Sequence, residues 1–70
     1  MTPNIHELAG YGSTEIQALA SLNDGLLFHF NIRLQKSNNP RSYTFVIHEN
    51  EQWYAYVEKQ NFIYIAYLYR

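Results

Sequence analysis

Seventy residues, a net charge of −1 and no cysteine describe one domain, with no room for a second and no means of forming a disulfide or a thiolate metal site. A chain this short hides only roughly 60% of its unfolded surface on folding, so its stability is marginal and dimerisation is one remaining means of support. The five basic residues, Arg33, Lys36, Arg41, Lys59 and Arg70, are scattered along the chain, which excludes a broad basic field for a phosphate backbone.

Residues 1–25 are predicted to be helical, as two short helices or one irregular one. Pro3 suits a first helical turn, where its missing N–H has no partner to lose. Ile5, Leu8 and Ala9 then share a face. Gly10-Tyr11-Gly12 predicts a break, because two glycines weaken any helix. Ser13 or Thr14 fits the N-cap of a second segment, with Glu15 facing the positive end of its dipole. Ile16, Leu19 and Ala20 form a stripe with Ala18 and Leu22 beside it, and Asn23-Asp24-Gly25 predicts the stop.

Four strands are predicted in residues 26–70. Leu26, Phe28, Phe30, Ile32 and Leu34 alternate with polar or outward neighbours as far as Gln35. A polar loop from Lys36 to Arg41 contains the turn signal Asn38-Asn39-Pro40. Ser42 to His48 forms the second strand, with Tyr43, Phe45 and Ile47 inward. Gln52 to Glu58 forms the third, with Trp53, Ala55 and Val57 inward, and Phe62 to Tyr69 the fourth. Three-residue connections at Glu49-Asn50-Glu51 and Lys59-Gln60-Asn61 place Ile47 by Trp53 and Trp53 by Tyr67, which keeps every inward position apolar. The expected fold is α+β: short N-terminal helical segments packed on one face of a four-stranded antiparallel meander. The layout resembles the helix-on-meander arrangement of cystatin-like folds, a likeness of topology that implies no activity.

The same register composes the outer face. Asn31, Val46, Tyr54 and Ala66 form one row, and Arg33, Thr44, Tyr56 and Tyr64 the next. A third joins His29, His48, Gln52 and Leu68. An outer face should be polar, but this one turns aromatic on its last two strands. Tyrosine joins a large apolar area to a polar tip with few rotatable bonds, which suits it to interfaces. The candidate partner-binding residues are therefore Tyr54, Tyr56, Tyr64, Leu68, Val46 and Arg33. The blander account is that tyrosines are good strand formers and tolerate water. The fourth strand, as the last of a meander, is also predicted to be a bare sheet edge open to strand addition or edge-to-edge dimerisation.

Chemistry is sparse. His29 and His48 fall opposite one another, but zinc requires three or four ligands, so no metal site is expected. No acid–base pair in a pocket is evident, and Gly10-Tyr11-Gly12-Ser13 lacks the lysine ending of a phosphate loop. No catalytic residue and no cofactor are expected. Met1-Thr2-Pro3-Asn4 lacks a basic n-region and an apolar core, and no apolar run approaches the ~20 residues of a membrane span, so a cytoplasmic protein is expected. The reading is a small non-enzymatic protein-binding module, homodimeric or bound to another protein: an inhibitor, adaptor or immunity-type factor such as a phage-type inhibitor of a host system. The rival is a single-stranded nucleic-acid binder that stacks bases on the tyrosine face, against which stands the acidic charge balance.

Overall fold

The computed structural model describes residues 3–36 and 44–70. Most of the predicted polar loop, its Asn38-Asn39-Pro40 turn and the predicted inward Tyr43 lie outside the described residues. The elements run as a 3-10 turn at Ile5–Glu7, β1 (Ala9–Gly12), α1 (Glu15–Phe30), β2 (Gln35–Lys36), β3 (Thr44–His48), β4 (Glu51–Gln60) and β5 (Ile63–Tyr69). The class is α+β, with one helix on a five-stranded antiparallel sheet of order β1-β5-β4-β3-β2. Among the described residues no helix is long and apolar enough to cross a membrane.

The expected helix break at Gly10-Tyr11-Gly12 is instead strand β1, which pairs with β5 from Ala9–Tyr67 to Gly12–Tyr64. The glycines are there for close approach. A Cβ at Gly10 would collide with the Leu22 amide nitrogen and the Ala18 carbonyl oxygen, so α1 lies against the backbone of β1. β5 is consequently an interior strand, and the bare C-terminal edge expected from the sequence is covered by β1. The edges are the short strands β1 and β2, which offer little backbone for pairing.

Thr14 caps α1, its hydroxyl accepting from the Gln17 amide at 3.1 Å. The helix does not stop at Asn23-Asp24-Gly25. It continues to Phe30 and ends on Asn31, whose φ of 57° is left-handed. Ala18, Leu22 and Leu26 form a fully buried stripe spaced one helical turn apart, with Phe30 half-buried beyond it. That stripe overrides the alternation that predicted a strand here: Phe28, an inward strand residue in that reading, lies on the outside of the helix and is 83% exposed. Asn23 has a different use, its Oδ1 accepting from the Leu34 amide at 2.8 Å and tying down the chain after the helix.

Both hairpins are one residue tighter than predicted. Glu49 and Asn50 form a two-residue turn with φ of 52° and 65°, the positive pair that a type I′ hairpin requires. Asn61 and Phe62 form the second turn, with Asn61 at φ 56°. Shortening a connection by one residue moves each following side chain to the other face. Val46 therefore lies opposite Trp53, and Ala66 and Leu68 lie opposite Val57 and Ala55. The core joins Ile5, Ala18, Leu22, Leu26, Val46, Trp53, Ala66 and Leu68. Each fully buried leucine or valine contributes about 1.5–3 kcal/mol.

Candidate functional site

The molecule is one helix layer on one sheet layer, with Cα extents of 33 × 33 × 17 Å. The 3-10 turn and α1 pack on one face, and the described residues leave the other without a cover. Antiparallel pairing sets its rows. Gln35, Phe45, Tyr54 and Tyr69 lie across β2, β3, β4 and β5. Tyr56, Tyr67 and Ala9 follow, and then Glu58, Ile65 and Tyr11. Tyr11, Tyr54, Tyr56, Tyr69, Ile47 and Ile63 are each exposed by a third or more.

Four tyrosines at the centre are in mutual contact. Tyr56 and Tyr67, directly opposed, have ring centroids 5.3 Å apart at 59°. Tyr56 meets Tyr69 diagonally at 5.9 Å and 80°, and Tyr54 meets Tyr69 at 6.4 Å and 44°. Such pairs add about 0.5–1.5 kcal/mol each beyond burial, so the rings hold one another in place. Tyr56, Glu58, Tyr67 and Tyr69 line a shallow depression of about 350 Å³. Here the Tyr67 phenol is held above its ordinary pKa, first by desolvation and then by the Glu58 carboxylate, which disfavours the phenolate through its charge and as a hydrogen-bond acceptor.

The predicted site residues divide between the faces. Tyr54 and Tyr56 lie on the open face, as expected. Val46 and Leu68 are core, and Tyr64 is half-buried against it. Arg33 is exposed in the connection between α1 and β2 and belongs to no strand. The sequence reading missed Tyr67 and Tyr69, which the shorter turn brings outward, and Glu58 beside them. The signal that could have found them is Asn61: an asparagine takes positive φ readily and so suits a two-residue turn before β5.

A second concavity of about 330 Å³ opens at the other end of β4, lined by Pro3, Ile5, His6, Phe30, His48, Glu49 and Trp53 among others. His6 stacks on Trp53 with ring centroids 6.3 Å apart. The Arg70 guanidinium lies 5.1 Å over the same indole and pairs with Glu51 at 3.0 Å. The buried indole N–H of Trp53 has no acceptor among the described residues. His29 and His48 do not oppose one another, because His29 is helical and His48 packs edge-on against Phe30 at 4.8 Å. Among the described residues no group of three or more potential metal ligands comes together.

No family model, curated protein or solved structure matches the chain.

Proposed function

We propose that this protein is a non-enzymatic protein-binding module whose uncovered sheet face docks a partner, so that it acts by surface contact as an inhibitor, adaptor or immunity-type factor. The observation that carries this reading is the cluster of Tyr54, Tyr56, Tyr67 and Tyr69, which the fold places in contact on the face away from α1. Their apolar neighbours Phe45, Ile47 and Ile65 extend the patch. Contiguous apolar surface rimmed by polar groups is the usual form of an interaction site, and mutual packing has already removed much of the rotamer freedom that binding would otherwise cost. Two copies stacked through this face would form a homodimer; pairing through the C-terminal strand has lost its basis now that β1 covers it.

The nucleic-acid alternative draws on the same rings. On the described strands, however, the charged side chain of this face is Glu58, and the lysines Lys36 and Lys59 belong to the opposite face. A carboxylate in place of a basic stripe favours a protein over a phosphate backbone.

The test is a pull-down from the native host, with the wild type and a Tyr54→Glu/Tyr56→Glu double variant shown by circular dichroism to be folded, beside light scattering over a concentration series. A protein retained in stoichiometric amount by the wild type and lost with the variant, or a dimer dissociated by it, supports the reading. A chain that is monomeric at every concentration and retains no partner, or one the variant keeps equally well, overturns it.

A further inference from the structure

We propose that the corner formed by Tyr56, Tyr67 and Tyr69 beside Glu58 is a binding site for an arginine side chain presented by the partner protein. The inference rests on the sheet face being the docking surface and names the group recognised there.

The geometry is that of a cation site. Tyr56 and Tyr69 meet at 80°, so they form a corner and not a stack, and Tyr67 closes a third side. Aromatic faces carry partial negative charge and attract a cation within about 6 Å of the centroid. Glu58 shares the depression with the three rings, so a carboxylate and aromatic side chains line one volume. On the described strands no basic side chain on this face neutralises it. The Tyr67 phenol beside it is held above its ordinary pKa first by desolvation and only then by the Glu58 carboxylate.

Shape selects arginine over lysine. The depression is shallow, and a planar guanidinium can lie flat on one ring while its N–H groups reach the carboxylate. An ammonium is more strongly hydrated and gives up more to leave water. The chain has built the same recognition unit once already. On the other side of β4, Arg70 lies 5.1 Å over the Trp53 ring while its Nη1 donates to Glu51 at 3.0 Å. There the aromatic, the carboxylate and the guanidinium all belong to one chain. At Tyr56, Tyr67 and Tyr69 the aromatic and carboxylate parts are present, and the guanidinium would come from outside.

The test is an NMR titration with N-acetylarginine methylamide and its neutral isostere N-acetylcitrulline methylamide at matched ionic strength, on the wild type and on Glu58→Gln. Glu58 is exposed, and this variant changes no volume in the core. The expected result is saturable shifts centred on Tyr56, Glu58, Tyr67 and Tyr69, about three- to tenfold tighter for arginine than for citrulline, with that preference lost in Glu58→Gln. Equal affinity for the two compounds, a preference that survives Glu58→Gln, shifts centred elsewhere, or no shift at all each overturns the arginine site. The docking reading is decided separately by the pull-down: a partner lost with Tyr54→Glu/Tyr56→Glu alongside equal binding of the two compounds leaves the face a docking surface that reads no cation.

Discussion

Val46 stands directly across from Trp53 between β3 and β4, and both side chains are buried on the helix side of the sheet. This pair fixes the face of every other residue on the two strands. With Val46 inward, Phe45 and Ile47 must point away from α1, and with Trp53 inward so must Tyr54 and Tyr56. The second hairpin transmits the same parity to β5, where Ala66 and Leu68 go to the core and Tyr67 and Tyr69 to the open face. The tyrosine cluster is therefore a consequence of the β4–β5 turn length, and the β3–β4 turn adds Phe45 and Ile47 to the same face.

The first turn is improvable. Glu49 holds φ 52°, a left-handed conformation that costs a non-glycine residue about 1–2 kcal/mol and asparagine less. Its carboxylate lies 3.7 Å from His48 but is largely exposed, so little is lost with it. Glu49→Asn is expected to raise stability by up to about 1 kcal/mol, read as a higher urea midpoint at unchanged slope. A lower midpoint would contradict the I′ turn and the register built on it.

Gly25 lies inside α1 with an ordinary helical backbone, and a Cβ there would meet Leu8 Cδ2 at 4.0 Å, ordinary van der Waals contact. Gly25→Ala should therefore stabilise the protein by about 0.5–1 kcal/mol through the helix interior alone. Had the helix ended at Gly25 in a left-handed cap, as Asn23-Asp24-Gly25 predicts, the same substitution would destabilise. Thermal unfolding of this one variant separates the two structures.

What could be read from the sequence follows from which signals are local. The alternation of Trp53, Ala55 and Val57 marks the inward face of β4 correctly, because one strand needs no partner to define its period. A cap at Ser13 or Thr14 is legible for the same reason, and Thr14 is the one that caps. Residues 26–34 are not legible: Leu26 and Phe30 fit both a strand and a helical stripe, and only packing beside Leu22 decides between them. β1 is hidden because its glycines signal a break unless α1 is already known to lie against them. The site is half legible. Tyr54 and Tyr56 stand on the strand whose period is read correctly, whereas one residue of loop length moves Tyr64, Leu68 and Val46 to the core side.

Close packing of α1 on β1 makes Gly10 the most constrained glycine. A methyl group there meets the backbone of α1 at both Leu22 and Ala18, and neither can turn aside as a flexible side chain could. Gly10→Ala is expected to destabilise by about 1–3 kcal/mol or more, as overpacking does. For so small a domain this is a large share of the total stability. Circular dichroism and urea unfolding would read the loss. Wild-type stability in Gly10→Ala would mean that the helix does not sit on this strand.

Tyr67 is expected to contribute to a loss of stability at alkaline pH. Its phenol has a raised pKa in the folded state, from desolvation first and then from Glu58, Tyr56 and Tyr69, so the folded chain holds this proton more tightly than the unfolded chain. The stability so gained is fully present below the unfolded tyrosine pKa of about 10 and is lost as the pH rises through the folded value. Stability should accordingly decline from about pH 10 upward in urea titrations of the wild type. Tyr67→Phe, which removes the titrating group, should flatten that decline. Glu58→Gln should lower the Tyr67 pKa, read by tyrosinate absorbance, because it removes the charge that opposes ionisation while leaving the desolvation in place. A decline unchanged in Tyr67→Phe would assign the alkaline loss to a different group.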